Sequence, residues 1–163
     1  MKTLILFMST HGCALKIAHQ IAGQLSGEVQ LHNLNISSNV NLSLYNRVII
    51  GGSIHVGKIQ SRVKVFCQDH LNELLQKEIG LYICCMEEGE VARKELKQAF
   101  PEELHTHAKA EAIMGGEFIF EKMNVFERFL VKKIAKVNQT VHKIDWNVVN
   151  DFSRSMEGSR LNA

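Results

Sequence analysis

The chain has 163 residues, 45% of them hydrophobic and 22% charged, with a formal net charge of +2. That is one domain's worth of sequence, apolar enough to bury a core on two faces. The near-balanced charge excludes a nucleic-acid footprint. One proline and no low-complexity stretch leave no room for a linker, so residues 1–163 read as a single domain. The four cysteines, Cys13, Cys67, Cys84 and Cys85, form no C-x-x-C pair. They are expected to be reduced thiols of a cytoplasmic protein rather than disulfides or a zinc set.

Thr3-Leu4-Ile5-Leu6-Phe7-Met8 is an unbroken apolar run, too short for a signal-peptide core, and is expected to be a first strand buried on both faces. No stretch has the length and apolarity of a transmembrane helix. A first helix is expected over about residues 14–25, because Ile17, Ala18, Ile21, Ala22 and Leu25 recur at helical spacing. Val29, Leu31 and Leu34 predict a short edge strand, followed by an Asn/Ser-rich loop. Val48-Ile49-Ile50-Gly51-Gly52 predicts a third strand, and Ser61 a cap for a helix carrying Val63, Val65, Phe66 and Leu71. Residues 79–85 predict a fourth strand, which would send Cys84 and Cys85 to opposite faces. Residues 88–100 predict one charged helix stopped by Pro101, and residues 108–114 a fifth strand closed by Gly115-Gly116.

Residues 125–137 form a basic helix with an apolar stripe of Val125, Phe126, Phe129, Leu130, Ile134 and Val137. Its expected role is to cover the sheet; Lys132, Lys133 and Lys136 lie largely off the stripe and fit an added contact with a membrane surface. Asp145 is placed to cap the last helix, with Trp146, Val149 and Phe152 on one face.

Strands of this kind alternating with helices mean a parallel α/β sheet covered on both sides. A ligand then sits at the carboxyl ends of the strands. The loop Ser9, Thr10, His11, Gly12, Cys13 and Ala14 lies at such an end and opens a helix, an arrangement that receives anions. The other loops at that edge carry Ser53, Ile54, His55, Val56 and Gly57; Met86, Glu87 and Glu88; and Gly115 and Gly116. These sixteen residues are the candidate binding set. His55 is a weak candidate for proton transfer, equally readable as an exposed loop histidine. His105 and His107 face the same way if extended, but no third metal ligand accompanies them. No nucleophile–base pairing is evident from spacing.

Ser9, Gly12 and the position of Ala14 resemble the Ser/Thr-x-x-Gly-x-Thr phosphate loop of flavodoxins, with alanine where the family carries a hydroxyl. With Lys2-Thr3-Leu4-Ile5-Leu6-Phe7, Val48-Ile49-Ile50-Gly51-Gly52-Ser53-Ile54, Gly57, Gly115-Gly116, Phe126-Glu127-Arg128-Phe129 and Asp145-Trp146, nearly the whole chain resembles the flavodoxin-like proteins of the menaquinone-dependent protoporphyrinogen oxidase type. The resemblance implies a flavodoxin-like doubly wound sheet of five parallel strands in the order 2-1-3-4-5, and bound FMN. It also implies an FMN-dependent oxidoreductase that oxidises protoporphyrinogen IX with a quinone as acceptor; the short first apolar run and the basic helix add the expectation of a cytoplasmic protein with peripheral contact at the inner face of the membrane. Where the oxidase has a longer basic loop, this chain reads Glu87-Glu88-Gly89-Glu90, a departure that bears on the substrate. The alternative is a flavodoxin-type electron carrier docking to a redox protein partner, although the acidic surface usual for such carriers is missing. A flavodoxin-shaped module without FMN is a third reading, resting on Ala14 alone.

Overall fold

The computed structural model describes residues 1–158 apart from 135, 137 and 138. In chain order the elements are β1 (Lys2–Phe7), α1 (Cys13–Ala22), β2 (Glu28–Asn33), β3 (Arg47–His55), β4 (Lys58–Ile59), α2 (Ser61–Asp69), α3 (Leu71–Leu74) and β5 (Glu78–Cys84). There follow α4 (Gly89–Ala99), α5 (Glu102–His107), β6 (Ala110–Ile113), β7 (Glu117–Phe118), α6 (Val125–Ile134), β8 (Val141–His142) and α7 (Trp146–Glu157).

The main sheet has the order β2-β1-β3-β5-β6, with every one of these pairs parallel. Counting only its five long strands, this is the expected 2-1-3-4-5 order. The extra strand, β4, turns back antiparallel on the end of β3. Side chains alternate across the sheet, and both sets are buried. Leu4, Leu6, Val48, Ile50, Leu81, Ile83 and Cys85 meet α2 to α5 through Val63, Phe66, Leu74, Ala92 and Leu104. Ile5, Phe7, Ile49, Tyr82, Cys84 and Ala112 meet α1 and α7 through Ile17, Ile21, Val149, Phe152 and Met156. Burial on both faces is why these strands read as continuous apolar runs.

Several local expectations shift. Residues 53–55 extend β3 into a hairpin with β4, and Val56-Gly57 makes its turn, Gly57 having φ +74°. Gln60, not Ser61, precedes α2, and its side chain is drawn elsewhere. The stretch after Glu90 holds two helices, because Pro101 ends α4 and starts α5. His105 and His107 are therefore helical rather than extended. His105 bonds Glu111 and the Lys97 carbonyl, and His107 the Lys77 carbonyl. Asp145 caps α7 as expected, accepting from the N–H groups of Asn147 and Val148.

At the amino ends of the strands Arg47 is buried, bonded to Glu78 at 2.7 Å and to Glu157 at 3.2 Å. Glu157 also accepts from Ser26 N–H and Oγ. These Ser26 bonds, with Arg47, hold its pKa below the ordinary 4.5 despite partial burial. A depressed folded-state pKa contributes stability that is present above about pH 4.5 and lost as pH falls through the folded value. Glu157→Gln is expected to flatten that acid limb of stability, measured by urea unfolding from pH 7 to pH 3.

Candidate functional site

β1 ends at Phe7 and α1 begins at Cys13, so the intervening loop lies at the carboxyl edge of the sheet. Gly12 has φ +100°, a conformation L side chains rarely adopt, and its N–H donates to Ser9 Oγ at 3.0 Å. No side chain caps α1. The first N–H groups of the helix therefore point toward the loop without intrahelical partners. Ala14 is fully buried in the core layer beside α1, and its carbonyl accepts from Tyr82 OH at 3.3 Å. Its methyl belongs to the packing under the loop.

Beside the loop is a cavity. Its wall takes in Thr10, His11 and Cys13; Ser53, Ile54, His55 and Val56; Cys84, Cys85 and Met86; and Gly116. The candidate set thus splits. Nine of its members stand on the wall, while Ser9, Gly12 and Ala14 form the loop beside it. Gly57 sits in the hairpin turn. Glu87 and Glu88 are exposed, Glu88 lying 3.6 Å from Lys143. Gly115 has φ +72° and presses on the Lys143 carbonyl, which a Cβ would meet at 1.9 Å. Its role is to let the chain turn out of β6.

The rest of the wall was missed. Phe118, Met123, Glu127, Leu130 and Val131 all come from the segment after Glu117, which itself ends the expected loop of residues 115–117 and also stands on the wall. The expected sheet-covering helix is instead a cap over the cavity. None of the described residues of α6 belongs to either core layer, because the helix lies beyond the end of the strands. Leu130 and Val131 face the cavity, while Val125, Phe126 and Phe129 are exposed. Val137 lies outside the described residues. Two side-chain contacts fasten this segment to α1 and its loop. Glu117 binds Lys16 at 2.9 Å and His142 at 2.8 Å; Glu127 binds His11 at 3.3 Å. Burial raises the Glu117 pKa, but the bonds from Lys16 and His142 outweigh it and leave the pKa low. Sequence offered one signal for this clamp, the acidic residues spaced through an otherwise basic aromatic stretch.

The wall is mostly apolar, and two of its three cysteines hold their protons. Cys85 is pushed up to about 12, chiefly by burial and then by Glu95. Cys84 is raised too, by its bond with Cys13 and by burial. Both therefore stay protonated near neutrality. His55 at the rim is lowered, first by the crowding around it and then by His11, against a smaller upward pull from Glu127. Its imidazole is neutral at pH 7 and able to accept a proton. Gln60 supports this side, accepting from Ser53 N–H at 2.8 Å and donating to the Met8 carbonyl at 3.3 Å.

The chain that builds this sheet, helix start and cavity matches the model of a protein family, the flavodoxin domain, over residues 4–145. The chain belongs to the flavodoxin domain family. It is 25% identical over 177 aligned positions to the protoporphyrinogen IX dehydrogenase [quinone] of Escherichia coli K12, covering 96% of this chain and 94% of that one. Among solved structures, a short-chain flavodoxin associated with a non-canonical PDU bacterial microcompartment superposes with a TM-score of 0.61 at 11% identity, over 96% of each chain. A WrbA-like flavodoxin from Agrobacterium tumefaciens does so at 0.57 and 14%, over 96% of this chain and 92% of that one.

The cofactor of a flavodoxin domain is FMN, and the residues present fit it. The glycine turn at Gly12 with the Lys122 ammonium beside it, the unpaired start of α1 and the absence of acidic side chains among residues 9–14 suit a phosphate. The apolar wall beside them suits a flat ring.

Proposed function

We propose that this flavodoxin-domain protein is an oxidoreductase that oxidises protoporphyrinogen IX and passes the electrons to a quinone. The observation that carries the reading is the match to the Escherichia coli protoporphyrinogen IX dehydrogenase, which runs through nearly the whole of both chains. The site supports it. FMN, when bound, supplies the redox centre between donor and acceptor. No Tyr or Trp stands on the wall, and the cap presents Met123, Leu130 and Val131 to the cavity, surfaces on which a flat organic substrate can lie. His55, neutral and at the rim, takes a proton that the donor gives up with its electrons. Cys84 and Cys85, held protonated, take no part.

The exposed side of α6 supports delivery of quinone from a membrane. Val125, Phe126 and Phe129 are 83%, 71% and 60% exposed, and Lys132 and Lys133 stand near them, Lys133 Nζ 6.0 Å from the centre of the Phe129 ring. Apolar residues bordered by cations fit an anionic bilayer surface. No helix among the described residues is long and apolar enough to cross a membrane. The test is to load the protein with FMN, reduce it chemically under anaerobic conditions, and add a small quinone with no protein mediator. Rapid reoxidation is expected, faster on anionic vesicles and slowed as salt screens the helix. Reoxidation only through a redox protein would instead make the chain an electron carrier.

A further inference from the structure

We infer that Lys122 supplies the counter-charge for the FMN phosphate, and so sets the preference of this site for the phosphorylated flavin. The inference rests on the family assignment of FMN and adds a residue outside the phosphate loop. A Cβ built on Gly12 would stand 3.4 Å from Lys122 Nζ, so the ammonium hangs directly over the turn of the loop. The loop itself carries no lysine or arginine, and its one histidine, His11, is engaged with Glu127. Ala14 offers no hydroxyl and is fully buried. A phosphate received there would meet N–H dipoles but no opposite charge within residues 9–14, and Lys122 brings one.

Its position is held on both sides. Lys122 N–H donates to the Ile119 carbonyl, Phe120 N–H donates to Thr140 Oγ1, and the Phe120 carbonyl accepts from Arg128 Nε at 2.7 Å. Nearby acids are occupied elsewhere. Glu117 is taken by Lys16 and His142, Glu121 by Thr140, and Glu127 by His11 and the Asn124 N–H. Among the described residues Lys122 makes no ion pair, so its charge is available to a ligand at the loop.

The experiment compares FMN with riboflavin, which has the same ring and no phosphate, by titrating the apoprotein and following flavin fluorescence. Lys122→Met is expected to weaken FMN about 10- to 100-fold, the worth of one charge-assisted hydrogen bond. Riboflavin affinity should not change, and the dependence of FMN affinity on salt should become shallower. Lys122→Arg should keep most of the FMN preference. Lys122 is exposed, so the variants are expected to melt like the parent, which circular dichroism checks. An FMN-to-riboflavin preference in Lys122→Met equal to that of the parent overturns the inference. So does an equal loss for both ligands, which would mean a role in shape alone. A parent that binds neither flavin overturns the cofactor assignment itself, and is distinguished by being seen before any variant is made.

Discussion

Gly12→Val abolishes FMN binding while leaving the sheet intact. The expectation follows from two properties of one residue. At φ +100° the backbone of Gly12 lies where a β-branched side chain is a genuine outlier, and holding valine there costs about 1–3 kcal/mol of strain. The loop, exposed on one side and uncapped, escapes that cost by changing conformation, which rotates the helix-start N–H groups away from the ligand. If the loop did hold its shape, the added methyl groups would cover the approach to its N–H groups and crowd Lys122 Nζ, which a Cβ alone would meet at 3.4 Å. Both routes remove the anion site. Titration of the variant with FMN should show no saturable quenching at concentrations that saturate the parent, with far-ultraviolet circular dichroism unchanged.

Gly51→Ala is the largest expected loss of stability. Gly51 lies in β3 opposite Tyr82 of β5, and a Cβ there would stand 1.9 Å from the ring Cζ. Tyr82 is fully buried, packed edge-on against Phe152 at 6.2 Å and bonded through its hydroxyl to the Ala14 carbonyl. The ring has nowhere to swing, so either the strands separate or the ring leaves its place. Overpacking of ordinary core sites costs about 1–3 kcal/mol, and a contact this close exceeds that range. We expect a loss above about 3 kcal/mol in urea unfolding. Gly51→Ala with Tyr82→Leu should recover part of it, because the two residues share one volume. The same pair explains why the loop is placed as it is: Tyr82 reaches from β5 to the first turn of α1, and glycine at 51 on the central strand makes room for it.

The layered sheet was readable in the sequence because its signals are local. Runs such as residues 3–8 and 48–52 are apolar on both faces, and Asp145 and Pro101 mark helix ends by their own chemistry. The loop around Gly12 was legible for the same reason. The cap was not. α6 has the stripe of an ordinary surface helix, and periodicity says that a face is apolar without saying what lies against it. Its placement depends on Glu117 meeting Lys16 and Glu127 meeting His11, pairs 101 and 116 residues apart in the chain. The short strands β7 and β8, two residues each, leave no periodic trace at all. Lys122 reaches Gly12 from 110 residues away, a proximity that only the folded chain reveals. Gln60 was missed differently: a cap was expected at Ser61 from residue type, whereas the Gln60 side chain is committed to Ser53 and Met8 across the strand ends.

The reading of this protein as an oxidoreductase acting directly on an organic donor stands on whether that donor reaches the cavity under α6. The decisive measurement is the anaerobic visible spectrum of FMN-loaded protein after addition of protoporphyrinogen IX, with no other protein present. The flavin's visible absorption is expected to fall as the porphyrin spectrum grows in, and to recover when a quinone follows. A flavin spectrum untouched by protoporphyrinogen, in protein whose flavin a quinone readily reoxidises after chemical reduction, would contradict the proposed donor.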